Sequence, residues 1–314
     1  MSAPLTHALV TGGAGFIGHH LVRALLAQGL AVTVLDDLSM GKRENVPAEA
    51  RFVHGDLRDP AAVADALAGV DCVFHEAAIV SIRASLAGFH RDADVNFMGT
   101  LTLMQAMARQ GVIRHAVLAS SMAVYSDSPT PEPLTEAAPK EPISPYGVAK
   151  LAAEQAWALV CDQAGIPHTV LRYFNTYGPN QTPTPYVGVI TIFITKLLAG
   201  ELPVVFGDGE QRRDFVHVDD IVSANLAVLA AGARAHGGVF NVGTGHATSV
   251  NDIATALVDL LAPGQAAGRA EEQAGELRNA IADASALRAL GWSPQHEQVD
   301  FASVVDWWRE RAAP

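Results

Sequence analysis

The stretch Thr11-Gly12-Gly13-Ala14-Gly15-Phe16-Ile17-Gly18 decides the fold. It follows the apolar run Ala8-Leu9-Val10 and opens a helical pattern over residues 16–28. Its glycines satisfy both Gly-x-Gly-x-x-Gly and Gly-x-x-Gly-x-x-Gly spacing. Without Cβ atoms such a loop turns tightly and lies close to a pyrophosphate. The helix N-terminus behind it offers N–H groups and a partial positive charge. Glycine loops also occur as plain strand–helix turns. Here the flanking strand and helix supply the context that a dinucleotide site requires. Asp36 closes the next strand pattern (residues 31–35), 18 residues after Gly18. A carboxylate there accepts hydrogen bonds from an adenosine ribose and repels a 2′-phosphate, which favours NAD over NADP. Lys42 and Arg43 lie just beyond and keep NADP open.

Outward from this loop, short β-branched runs alternate with helical patterns. Strands are expected at 51–53, 72–74, 115–119 and 169–171, and helices at 60–68, 92–110 and 146–164. The strand runs are nearly all apolar, as strands buried on both faces should be. This alternation predicts an α/β fold with a doubly wound parallel sheet. The rhythm changes after residue 173. A Pro/Gly/Asn-rich loop spans 178–188, an apolar helix pattern 189–199 and a turn 207–209. Ser249-Val250-Asn251-Asp252 reads as a capping box for a helix ending before Pro263-Gly264, and residues 264–276 read as a loop. The expected organisation is a dinucleotide-binding Rossmann domain over 1–173, to which the chain returns around 214–245. A smaller, mostly C-terminal α/β substrate domain takes 174–314.

Composition narrows the partners. The chain has 314 residues, 49% of them apolar and 17% charged, so a large core is available. Its 21 Lys+Arg face 33 Asp+Glu, a net charge of −12. No general positive field exists to attract nucleic acid or an anionic membrane. Any phosphate must be held by local devices. Cys72 and Cys161 cannot build a disulfide framework, which points to a reducing compartment. With no spanning apolar run and no signal-peptide pattern, a cytoplasmic protein is expected.

Ser144-Pro145-Tyr146-Gly147-Val148-Ala149-Lys150 opens the helix over 146–164. Ser144 suits an N-cap and Pro145 the first helical position. Tyr146 and Lys150 are four apart and share a face. A phenol with a pKa of about 10 is a poor base at neutral pH. A nearby ammonium and a positive nicotinamide ring favour the phenolate. Tyr-x-x-x-Lys also arises often by chance. Ser120-Ser121 adds weight, because ligands of such sheets bind beyond the carboxyl ends of the strands. Ser121 could complete a proton path with Tyr146.

With these residues in hand, the chain resembles the extended short-chain dehydrogenase/reductase family, and within it the nucleotide-sugar epimerases of the UDP-glucose 4-epimerase type. The resemblance runs from Leu9 to about Trp308. It is carried by residues 11–18, 36–45, Gly-Asp-Leu-Arg-Asp (55–59), His-Glu-Ala-Ala (75–78), Asn96 before Gly99-Thr100, Ser-Ser-Met-Ala-Val-Tyr (120–125), 144–150, Leu-Arg-Tyr-Phe-Asn-Thr-Tyr-Gly-Pro (171–179), 207–220 and Phe-Asn-Val-Gly-Thr-Gly (240–245).

The resemblance implies Tyr146 as general base, Lys150 lowering its pKa and Ser121 sharing the proton. It implies NAD held by Gly12, Gly15, Phe16, Ile17, Gly18, Asp36, Asp37 and Ser39, with Asp56 and Leu57 at adenine. Ala77, Ala78, Asn96, Ser120 and Tyr173 would complete that site together with Tyr146 and Lys150. A nucleotide-sugar substrate would meet Ser81, Ser121, Tyr146, Asn175, Val189, Val204, Phe206, Arg213 and Gln273. Arg212-Arg213 reads alternatively as a surface pair bridging to Asp214 or Glu210. Helices 92–110 and 146–164 resemble the family's homodimer interface, with packing against the sheet as the alternative.

Two departures stand out. Dehydrating and decarboxylating members carry an acid at the two positions after the catalytic Ser/Thr, and here those are Met122 and Ala123. Elimination needs a proton for a leaving hydroxyl, whereas epimerisation does not. In the late loop Gln273 fills the slot of a diphosphate-gripping arginine, with Arg269 and Arg278 as possible substitutes. The implied reaction is C4 epimerisation through a keto-sugar. A net reductase or dehydrogenase, or a non-catalytic cofactor sensor, are the rival readings. No metal site is expected: His19, His20, His75, His115 and His217 lack ligand spacing and read as structural. Cys72 reads as core, and Trp307-Trp308 as a helix face packing on the second domain.

Overall fold

The computed structural model describes residues 4–80, 88–182, 188–271 and 277–312. β1 (His7–Thr11) pairs in parallel with β2 (Ala31–Asp36), which carries β3 (Arg51–His54). On its other side β1 pairs with β4 (Cys72–His75), followed by β5 (His115–Ser121), β6 (His168–Tyr173) and the late strand β10 (Gly238–Val242). The sheet is seven-stranded and wholly parallel, in the order β10-β6-β5-β4-β1-β2-β3. The order reverses direction between β1 and β4, so a crevice opens at the carboxyl ends of these strands.

Both faces of the sheet are covered, which is why its central strands are mostly apolar. On one face lie Leu21, Val22 and Leu25 of α1 (Phe16–Ala27). On the other lie Val63 of α2 (Pro60–Ala66) and a composite rod. That rod begins earlier than the sequence predicts. α3 (Phe89–Ala93) passes through a π-helical segment, Asp94–Gly99, into α4 (Thr100–Gln110). The Thr100 hydroxyl donates to the Asn96 carbonyl at 2.7 Å inside that segment. Such π segments often mark functional sites. Leu103, Met104 and Met107 of α4 pack with Trp157 and Cys161 of α5 (Pro145–Ala164). Ser144 caps α5 as expected, accepting the Gly147 N–H at 3.1 Å.

The rest of the chain forms a smaller unit. β9 (Arg212–His217) lies parallel to β7 (Asn175–Tyr177) and β13 (Asn279–Ala280), and antiparallel to β11 (Ala247–Ser249). β8 (Val204–Phe206) pairs with β12 (Gly268–Ala270), so part of the loop expected over 264–276 is a strand. Its ladder partner is distant in sequence, and local composition carries no sign of it. Ile190, Phe193, Ile194 and Leu197 of α6 (Val189–Leu198) form this unit's core. Before β10, α7 (Val218–Ala231) returns to the large sheet, placing Ile221, Ala224 and Val228 beside α1. α8 (Val250–Leu261) has the expected capping box and adds Ile253 and Leu257 to the smaller core. α9 (Ser285–Ala289) precedes α10 (Phe301–Ala312), whose Val304 and Val305 are buried there. Trp308 packs on that core, while Trp307 lies under Arg311, 3.9 Å from guanidinium carbon to ring centroid. Among the described residues no helix is long and apolar enough to cross a membrane.

Candidate active site

A cavity of about 960 Å³ lies at the carboxyl ends of the parallel strands, between the large sheet and the smaller unit. The glycine loop forms one wall. Gly12 has φ +70°, and a Cβ there would sit 2.7 Å from the Ala77 Cα. A Cβ on Gly18 would lie 2.2 Å from the Gly12 carbonyl oxygen. Gly12 lets the loop lie against the Ala77 backbone after β4, and Gly18 lets the loop close on itself. Gly15 is different. A Cβ there meets only the Gly12 oxygen, at 3.2 Å, so the space beyond belongs to the cavity. No side chain caps the first turn of α1, where Phe16, Ile17 and Gly18 line the cavity. That is a cradle shaped for a diphosphate.

Asp36 stands at the end of β2 in the same wall. Its Oδ2 accepts the Ala14 N–H at 3.0 Å and its Oδ1 the Leu38 N–H at 2.8 Å. Burial raises its pKa, against these bonds. Each oxygen keeps a lone pair for a ribose hydroxyl. Of the cations that leave NADP open, Arg43 covers the Phe52 ring at 4.7 Å, while Lys42 is exposed, 3.8 Å from exposed Glu44. Asp37 accepts the Ser39 N–H at 2.9 Å, and both line the cavity. Asp56, Leu57, Ala77 and Ala78 line it too, with Asp56 held by Arg58 at 2.6 Å. Asn96 does not. Its Oδ1 accepts the Ile79 N–H at 2.9 Å and its Nδ2 donates to the Ile79 carbonyl at 3.0 Å. It fixes a wall segment instead of facing the cavity. Ser120 lines the cavity, but its hydroxyl donates to buried Glu154.

Ser121, Tyr146 and Lys150 converge on one stretch of the wall. β5 delivers the serine and the first two turns of α5 deliver the other two. The Ser121 and Tyr146 hydroxyls are hydrogen-bonded, and Ser121 also accepts the Ala123 N–H at 3.2 Å. Burial pushes the Tyr146 phenol up to about 12, opposed by the Ser121 bond. Burial pushes Lys150 down to about 8, opposed by Glu76, Asp92 and Glu154. Its ammonium donates to the Ala119 carbonyl at 2.9 Å. The lysine thus stays charged at neutral pH, and the tyrosine stays a phenol until positive charge arrives.

The far end of the cavity is formed by the smaller unit. Val189, Val204 and Phe206 line it, with Asn175 and Arg213 as polar members. The Asn175 Oδ1 is buried and has no protein partner. A buried acceptor of this kind is costly unless a ligand supplies the donor. Arg213 is 8% exposed and donates to the carbonyls of Arg212 and Arg278. The surface-pair alternative does not hold. Asp214 turns inward to Thr244, Gly245 and Ala282, and Glu210 accepts from Asn251. Arg269 and Arg278 both engage Asp208. Ser81 and Gln273 lie outside the described residues.

Some cavity residues escape the motif reading. Glu76 follows β4 and accepts the Tyr173 hydroxyl at 2.8 Å. The signal for it was an acid between the strand and Ala77-Ala78. Lys196, a cation within the apolar α6 pattern, also faces the cavity. The histidines hold structure: His75 bridges the hydroxyls of Thr11 and Thr100 at 2.7 and 2.8 Å. His217, Asp219 and His296 bring donor atoms within 4.8 Å of one another, but the His217 Nδ1 already accepts the Asp219 N–H.

Comparisons with known proteins agree with this geometry. Residues 8–243 match the model of the NAD dependent epimerase/dehydratase family. A putative UDP-glucose 4-epimerase of Methanocaldococcus jannaschii is 36% identical, covering 95% of this chain and 97% of its own. The UDP-glucose 4-epimerase of Thermotoga maritima, solved with UDP-glucose, superposes with a TM-score of 0.92 at 35% identity, covering 98% of this chain and 99% of its own. That of Thermus thermophilus, solved with NAD, gives a TM-score of 0.89 at 36% identity, covering 97% and 99%. The glycine cradle, the Ser-Tyr-Lys wall and these likenesses together place the chain in the NAD dependent epimerase/dehydratase family.

Proposed function

We propose that the chain epimerises a nucleotide-diphosphate sugar at C4 through a keto-sugar intermediate, with bound NAD. One observation carries this reading beyond the family: Ser121, Tyr146 and Lys150 share a wall whose next two residues, Met122 and Ala123, bear no acid. Ser121, Tyr146 and Lys150 can move a hydroxyl proton, and the two positions after Ser121 offer no acid to protonate a leaving hydroxyl. Bound NAD supplies a reversible hydride acceptor. Tyr146 takes the proton of the sugar hydroxyl, and the Ser121 hydroxyl bridges the two oxygens. Lys150 stabilises the phenolate. Arg213 and Asn175 hold the diphosphate end while the sugar presents its other face, and later Tyr146 returns the proton. Ser81 and Gln273 remain candidates for the substrate end.

Incubation with UDP-, dTDP-, GDP- and CDP-sugars, followed by NMR, tests this. The expected result is interconversion of C4 stereoisomers without net NADH. NADH accumulating with a single sugar overturns it in favour of a dehydrogenase, and a deoxy-keto product in favour of a dehydratase. Asp36→Ala is expected to weaken NAD binding roughly 10- to 100-fold in calorimetric titration, the size of a charge-assisted hydrogen bond. Unchanged affinity would remove Asp36 from the cofactor site.

The same reading includes a homodimer through the α3–α4 rod and α5, in a reducing, cytoplasmic setting that suits the free, buried Cys72 and Cys161. The inner faces of these helices pack on the sheet. Their outer faces expose Phe89, Met98, Val148 and Leu159, each at least half exposed (58, 50, 54 and 59%). Light scattering on the eluting protein is expected to give twice 33.0 kDa. A monomer at micromolar concentration would remove this interface.

A further inference from the structure

The residues above leave one acid in the cavity without a task. Glu76 follows β4 and lines the same wall as Lys150 and Tyr173. The Tyr173 hydroxyl donates to Glu76 Oε1 at 2.8 Å and accepts from the Asn225 Nδ2 at 2.7 Å. Asn225 belongs to α7 and also donates to the Ile221 carbonyl at 3.0 Å. The phenol is therefore aimed at the carboxylate by a group fixed on the opposite face of the sheet. Glu76 Oε1 accepts in this pair, and a bond from a phenol to a carboxyl oxygen favours the anion. Burial pushes its carboxyl up to about 7, opposed by the Tyr173 bond and the Lys150 charge.

The Lys150 ammonium sits on the Ala119 carbonyl, and the β4–β5 register that pairs His75 with Leu118 brings Glu76 alongside Ala119; three carboxylates act on the lysine. Glu76 comes from the end of β4, Asp92 from α3 and Glu154 from α5 itself. Glu154 is already matched by Arg172, at 2.6 and 2.9 Å. Asp92 is buried outside the cavity wall, and its Oδ1 is tied to Asn96 at 3.1 Å. His75, also near the lysine, is held neutral by burial. That leaves Glu76 as the carboxylate in the cavity wall beside Lys150 whose charge no arginine matches.

We infer that Glu76 is a positioning residue, which orients the Tyr173 phenol and supplies the buried negative charge facing Lys150. The lysine's value to the reaction is its charge, and in a dry cavity that charge needs a counter-ion. Without one, burial favours the neutral amine. Glu76 therefore acts through Lys150 and not on the substrate. This role rests on the epimerase reading for its purpose but not for its test.

The chain holds four lysines, Lys42, Lys140, Lys150 and Lys196, so its side-chain ammonium signals can be assigned one by one. Heteronuclear NMR on lysine-labelled protein, without sugar, follows the Lys150 titration directly. In Glu76→Gln, which still accepts from Tyr173, the midpoint should move to lower pH by at least about one unit, a tenfold loss of proton affinity. Tyr173→Phe should lower it too, by less than Glu76→Gln does, because the Tyr173 bond favours the Glu76 anion. Asp92→Asn should move it less than Glu76→Gln does. An unmoved midpoint in Glu76→Gln, or a larger shift in Asp92→Asn, overturns the assignment. If Glu76→Gln does not fold, Glu76→Asp retains the charge one methylene farther away, and its midpoint should fall by a smaller step. A midpoint unchanged in that variant likewise overturns the proposal. Because no turnover is read, failure here is distinct from failure of the stereoisomer assay.

Discussion

Tyr146→Phe should lower kcat by roughly 100- to 10,000-fold, the range for losing a positioned acid–base group. NAD binding and the melting temperature should stay close to those of the parent. The ring is 5% exposed, and Phe fills the same space, so the change is confined to one oxygen. That oxygen cannot be replaced from nearby. Ser121 is its hydrogen-bond partner but is a neutral hydroxyl, and Lys150 is a cation at neutral pH. Burial holds the phenol at about 12 in the free protein, so the proton leaves only when positive charge enters the cavity. Substrate hydroxyl acidity and enzyme base strength are thus switched on together. Ser121→Ala should cost less, since the phenol can still meet the sugar directly. NMR detection of C4 stereoisomers measures both. A Tyr146→Phe enzyme keeping more than about a tenth of its rate would place the base on another residue.

Gly12, Gly15 and Gly18 were legible in the sequence because their spacing and their strand–helix context are local. So were Ser144 and Pro145, whose capping role depends on the next few residues. Ser121 was legible through topology: a residue after a parallel strand reaches the crevice whatever the loops do. β9 was not, since Arg212–His217 gains its partners from Asn175–Tyr177, Ala247–Ser249 and Asn279–Ala280, all far away in sequence. β12 was hidden for the same reason. The motif points Asn96 at the cofactor, while its amide clamps the Ile79 backbone. A motif marks a position as constrained, and only coordinates say which neighbour constrains it. Glu76 shows the converse. It stands inside His-Glu-Ala-Ala (75–78), and its meaning depends on Tyr173 and Lys150, which the fold alone brings near.

Glu154→Ala should destabilise the protein by about 3–5 kcal/mol in denaturant melts, the cost of stranding a buried charge. Glu154 is 6% and Arg172 2% exposed. The guanidinium meets both carboxylate oxygens, from Nε at 2.9 Å and from Nη2 at 2.6 Å. Its Nη1 donates to the Tyr125 hydroxyl at 2.9 Å and to the Glu136 carbonyl at 3.1 Å. Tyr125 in turn donates to the Asn241 Oδ1 at 2.6 Å, so the network joins α5, β6 and β10 beneath the Ser121-Tyr146-Lys150 wall. Burial works against the Arg172 charge, but the bonds from Glu154 outweigh it and hold its pKa above the ordinary value. Removing the glutamate takes away both bonds and leaves the cation where water cannot reach it. Glu154→Gln should cost less, because one acceptor survives. Glu154→Leu combined with Arg172→Leu should recover much of the loss, since no charge is then buried. If Glu154→Ala costs less than about 1 kcal/mol, the value of a solvated surface pair, water reaches the guanidinium and the pair is not a buried one. Activity gives a second readout: Ser120 donates to Glu154 and directly precedes Ser121, so kcat per folded molecule should fall along with stability.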